Sequence, residues 1–79
     1  MTYSEAIMKR LQDLCDKRNI TVNRLATRSG LSQSTVEYIM NGKSKNPTIS
    51  SLHKIATGLN MTISELLDFE ELNNEDVDT

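Results

Sequence analysis

The segment Gln33-Ser34-Thr35-Val36-Glu37-Tyr38-Ile39-Met40 sorts its polar and apolar residues at helical spacing. At about 100° per residue, Val36, Ile39 and Met40 gather on one side. Ser34, Tyr38 and the following Asn41 gather on the other, flanked by Gln33 and Glu37. This polar side holds no lysine or arginine. Its chemistry is directional hydrogen bonding, which suits base edges in a duplex groove better than phosphates. A glutamine amide can bond adenine through two atoms, a serine hydroxyl adapts to several edges, and tyrosine can meet a thymine methyl or a phosphate. Gln33, Ser34, Glu37 and Tyr38 are therefore the candidate base-contacting residues. The candidate phosphate-contacting residues surround them. Thr21 and Asn23 stand at the positive end of the preceding helix, Thr35 lies in the segment itself, and Asn41, Lys43, Ser44, Lys45 and Thr48 ring its end.

Other chemistries find little material. Cys15 and His53 are the only histidine or cysteine residues, too few for a structural zinc site. A nucleophilic Cys15–His53 pair would need an accessible thiol of lowered pKa and an oxyanion site, and the sequence suggests neither. Cys15 reads as a core thiol, His53 as a boundary residue of its helix, and Met8, Met40 and Met61 as packing or surface residues. The expectation is a protein that is not an enzyme and has no metal, cofactor or small-molecule ligand.

Five short helices and no strands must position the polar face. The first opens at Thr2-Tyr3-Ser4-Glu5, a capping box, and carries Ile7, Leu11, Leu14 and Cys15 on one face. It should end near Arg18-Asn19, with Ile20 folding back. The second follows Thr21, turns Val22, Leu25, Ala26 and Ser29 inward, and ends at Gly30. The third follows Ser32 and stops at Asn41-Gly42. Pro47 biases Asn46 away from helical geometry and separates the next element. The fourth, capped by Thr48, turns Ile49, Leu52, Ile55, Ala56 and Leu59 inward, and Asn60 stops it. The fifth opens with a second box, Thr62-Ile63-Ser64-Glu65, and buries Ile63, Leu66 and Leu67. The fold class is all-α, a compact five-helix bundle over residues 1–69 followed by a disordered acidic tail over 70–79.

The second and third helices are joined too tightly to lie antiparallel. Gly30 supplies a positive φ, Leu31 plugs the junction, and the two helices meet at a steep angle, a helix-turn-helix over residues 22–41. In that geometry one helix braces across the phosphates and the other lies in the major groove.

At 79 residues the chain is one small domain, without room for a large enclosed cavity. No apolar run is long enough to span a membrane, the N-terminus lacks a signal-peptide core, and a lone cysteine fits a reducing cytoplasm. The net charge of −2 conceals a division. Residues 1–64 hold nine basic and four acidic side chains, a net of +5, and residues 65–79 hold seven acidic and no basic ones, a net of −7. A basic body with an acidic appendage fits a polyanion-binding pattern.

Leu25-Ala26, Gly30-Leu31-Ser32-Gln33-Ser34-Thr35-Val36, Asn41-Gly42-Lys43, Pro47, and Ile55-Ala56 with Ile63-Ser64-Glu65-Leu66-Leu67 follow in an order and spacing that resembles the lambda-repressor and Cro-like helix-turn-helix proteins. The resemblance runs from about Ile7 to Leu67. It implies that Gln33, Ser34 and Tyr38 match base-contacting positions and that Asn41, Lys43 and Lys45 match backbone-contacting ones. Three positions depart from the family pattern. Val22 stands where a bracing glutamine is frequent, Cys15 and Met40 stand where the family often pairs Arg with Glu, and Asn60 stands where it usually has glycine.

Two functions follow as expectations. The first is sequence-specific binding of double-stranded DNA by a small transcriptional regulator, acting as a repressor in the cytoplasm on nucleoid DNA. The alternative is a protein-interaction module on the same fold, an antitoxin or anti-regulator. A homodimer on a palindromic operator is expected, with half-sites about 34–36 Å apart. Its self-contact is assigned to Leu66, Leu67, Phe69 and Leu72, which offer more apolar surface than one terminal helix needs.

Overall fold

The computed structural model describes residues 2–44 and 46–74. These fold as six helices, α1 Tyr3–Arg18, α2 Val22–Ser29, α3 Gln33–Met40, α4 Ile49–Gly58, α5 Ile63–Leu67 and α6 Glu70–Asn73. Among the described residues none is long and apolar enough to cross a membrane.

Local chemistry sets the ends of the helices. The first five open on an extended hydroxyl residue, Thr2, Thr21, Ser32, Thr48 and Thr62, whose side chain accepts from the backbone N–H three residues on. That satisfies one of the donors a helix leaves orphaned at its start. At Thr2 and Thr62 the box is reciprocal, because Glu5 and Glu65 accept from the backbone N–H of the cap at 3.1 and 2.9 Å. The first four helices stop at a left-handed residue, Asn19 (φ 54), Gly30 (φ 70), Gly42 (φ 71) and Asn60 (φ 60). Each is followed by a backbone bond closing the final turn, from Ile20 to Cys15, Leu31 to Ala26, Lys43 to Tyr38 and Met61 to Ala56.

Leu11, Leu25, Val36, Ile55, Leu59 and Leu66 are the largest fully buried side chains, so α1 through α5 all feed one core. α2 packs on α4 and α3, α1 on α3, α5 on α4 and α6 on α1. α1 also reaches across the core to carbonyls at the ends of other helices. Gln12 Nε2 donates to the Met40 carbonyl that ends α3 at 3.0 Å. The Arg10 guanidinium donates to the Glu65 and Leu66 carbonyls of α5 at 2.9 and 3.0 Å, and lies 5.4 Å from the Phe69 ring centroid. Arg18 donates to the Leu59 carbonyl that follows α4. Carbonyls at helix ends lack intrahelical partners, so these side chains supply them.

Three expectations are corrected. The bundle has six helices, because Glu70–Asn73, assigned to the tail, form α6 with Leu72 against the core; residues 75–79 of that assigned tail lie outside the described residues. Ile49, expected inward, is 68% exposed. It starts α4 at about 70° from the axis of the Leu52, Ile55, Ala56 and Leu59 stripe. Leu66 and Phe69 are 1% and 8% exposed, so this monomer's own core takes two of the four residues assigned to self-contact, while Leu67 and Leu72 are partly covered.

Candidate nucleic-acid interface

The α2–α3 connection is three residues long. Gly30 takes the left-handed turn, Leu31 packs against the core, and Ser32 caps α3, its hydroxyl accepting from Thr35 N–H at 3.1 Å. The chain leaves α2 and begins α3 with no slack, and α3 is held by Val36, Ile39 and Met40 in the core.

Held that way, α3 leaves Gln33, Ser34, Glu37 and Tyr38 exposed, with Tyr38 at 54%. Ser34 and Tyr38 lie opposite the buried stripe and Glu37 flanks them, while Gln33, about 70° from the axis of the stripe, is exposed where it opens the helix. Gln33 Nε2 donates to Glu37 Oε1 at 2.9 Å, which ties two of them together. Val22, which stands where the resemblance has a bracing glutamine, is partly buried against the core.

The surrounding polar residues fall into three groups. A groove joins Ser34, Thr35 and Tyr38 of α3 to Ser44, Asn46, Thr48 and Ser51. Within it Thr48 donates to the Ser51 hydroxyl at 3.1 Å, and Thr35 lies 2.8 Å from the Ser32 hydroxyl and is half-buried. A second groove joins Thr2, Tyr3 and Ser4 to Tyr38, Lys43 and Asn46. Tyr38 borders both, and Asn41 is exposed at the end of α3. The third group lies along α2, where Thr21 and Asn23 line a shallow cleft with Arg24, Thr27 and Arg28. Lys45 lies outside the described residues.

Tyr3, Arg24, Arg28, Asn46 and Ser51 did not stand out in the sequence as site residues. Arg24 and Arg28 carry a readable signal, one turn apart on the side of α2 away from Leu25, Ala26 and Ser29. Tyr3, 43% exposed, has none, since only folding brings the start of α1 beside the end of α3.

A short, tightly braced helix pair that presents an uncharged-to-acidic polar edge, bordered by lysine and hydroxyl residues, defines a helix-turn-helix protein. Residues 10–71 match the model of the Cro/C1-type HTH DNA-binding domain, and the chain belongs to that family. The uncharacterized HTH-type transcriptional regulator RghRB of Bacillus subtilis is 36% identical over 59 residues, 75% of this chain and 42% of that protein. The HTH-type transcriptional repressor RghR of the same organism is 35% identical over 63 residues, 80% of this chain and 47% of that one. The chain thus spans less than half the length of these two relatives. The crystal structure of the prophage Lp1 protein 11 superposes with a TM-score of 0.80 at 37% identity, covering 92% of this chain and 96% of that one.

Proposed function

We propose that this chain binds double-stranded DNA in a sequence-specific manner with α3 in the major groove, and that it regulates transcription as a repressor by occupying an operator in the cytoplasm. The observation that carries this reading is the joint exposure of Gln33, Ser34, Glu37 and Tyr38 on a helix whose other side is locked in the core. Base edges are met by these four. Phosphates are met by Thr21, Asn23, Thr35, Asn41, Lys43, Ser44, Lys45 and Thr48, of which Thr35, Lys43, Ser44 and Thr48 share a groove with Tyr38. The matched relatives named as regulators and a repressor support the transcriptional role.

One such module covers only about 600–1,000 Å² of DNA-facing surface, so a homodimer on a palindromic operator supplies the remaining specificity. Light scattering of the chain alone and on DNA tests it, and a monomer in both states sinks the dimer.

Selection of binding sites from random duplexes tests the main reading. A recovered consensus bound with a log–log salt slope of about −0.9 per neutralised phosphate supports it. No enrichment of any duplex overturns it in favour of a protein partner.

A further inference from the structure

We propose that Glu37, besides its own place on the base-reading edge, is a positioning residue: by holding the Gln33 amide, it makes the α3 edge select bases that present a hydrogen-bond donor in the major groove, adenine and cytosine, and reject guanine. This rests on the DNA-binding reading above and adds the base class that the same site prefers.

Gln33 Nε2 donates to Glu37 Oε1 at 2.9 Å, one helical turn away. A carboxylate only accepts, so the amide must turn its nitrogen toward Glu37. One N–H is thereby spent. An unrestrained glutamine can offer both amide protons to the O6 and N7 acceptors of guanine, whereas this one offers Oε1 and a single N–H. That pair matches the N6 donor and N7 acceptor of adenine, and Oε1 alone matches the N4 donor of cytosine.

The charge of Glu37 acts in the same direction. Among the described residues the ion pair present is Asp13–Lys17 on α1, and none neutralises Glu37. A carboxylate on a face that approaches DNA is repelled by phosphates and by guanine acceptors, and beyond the Gln33 N–H it is relieved by a donor on the base edge. α3 itself carries no arginine or lysine, the residues that most often read guanine.

The test is binding of duplexes carrying each base at each operator position, measured by fluorescence anisotropy for the wild type, Gln33→Ala, Glu37→Ala and Glu37→Gln, with circular dichroism confirming unchanged melting. At the position that Gln33→Ala relaxes, the wild type should favour adenine over guanine by roughly tenfold. Glu37→Ala should cut that ratio to about twofold and at the same time bind random-sequence duplex several-fold more tightly, since a repelled charge is gone. Glu37→Gln, which keeps an acceptor without the charge, should retain part of the ratio. If Gln33→Ala relaxes one position while Glu37→Ala leaves its preference intact, or if guanine is preferred there, the positioning role is overturned alone. If Gln33→Ala changes no position, the base-reading face itself fails.

Discussion

Gly58 in α4 lies so close to Ser29 at the end of α2 that a Cβ on it would stand 2.4 Å from Ser29 Oγ and 3.2 Å from Ser29 N. Glycine here permits two helix backbones to approach, and through that contact α4 buttresses the helix that leads into the Gly30 turn. The Ser29 hydroxyl is buried with no hydrogen-bond partner among the described residues. Gly58→Ala should therefore destabilise the domain by about 2 kcal/mol, the usual scale of overpacking. Ser29→Ala should stabilise it by roughly 1 kcal/mol, since it removes an unsatisfied buried group. The double variant should recover only part of the loss, because the Ser29 backbone still crowds the new methyl. Urea unfolding of all four proteins measures the cycle.

Lys43 is exposed past the end of α3, where it lines a groove with Tyr38 and Asn46. Lys43→Ala should weaken binding to specific and random duplexes by similar factors and make the salt slope shallower by about 0.9. A change in consensus without a change in slope would mean that Lys43 reads sequence.

Arg10 joins α1 to the end of α5 through the backbone carbonyls of Glu65, Leu66 and Asp68 and through the Phe69 ring. Arg10→Ala should cost about 2 kcal/mol, from charge-assisted hydrogen bonds and a partly covered cation–π contact. Hydrogen exchange should speed up first at the end of α5 and in α6. Equal acceleration throughout the chain would show that the anchor is global.

The Glu5 carboxyl is held below the ordinary value of 4.5 by the Thr2 backbone N–H first and the Thr2 hydroxyl second, and Glu65 is held down in the same order by Thr62. A carboxyl whose pKa is lower folded than unfolded stabilises the fold above the unfolded value, and that contribution is lost as pH falls through the folded value. Thermal stability should thus decline as pH drops below about 5. The Glu5→Gln/Glu65→Gln variant should start less stable at neutral pH and decline less steeply. Parallel curves for the two proteins would remove the boxes as the cause.

Burial pushes the Cys15 thiol above its ordinary value of 9.0, with the Asp16 charge adding to the shift. The side chain belongs to the core. Alkylation at neutral pH should be slow in the folded protein and become fast with urea unfolding. Rapid labelling of the native state would point to a reactive thiol.

The exposure of Ser34, Glu37 and Tyr38 was legible because helical angle separates them from Val36, Ile39 and Met40, whereas Gln33, about 20° from Met40, is exposed by opening the helix. The helix ends were legible for the same kind of reason. A hydroxyl reaching the N–H three residues on, or an asparagine or glycine turning left-handed, acts within one turn of chain, so its neighbours in sequence suffice. Tertiary structure alone decided the rest. Arg10, Arg18 and Gln12 find carbonyls 56, 41 and 28 residues away, pairings that no local pattern encodes. Gly58 has an ordinary helical place in the sequence, and only the nearness of Ser29 makes it necessary. Ile49 shares the residue type of a core position but starts its helix outside the packed stripe. Leu66 and Phe69 read as spare apolar surface until the chain closes over them. Burial depends on which segments meet across the core, and that is a property of the whole fold rather than of any window of sequence.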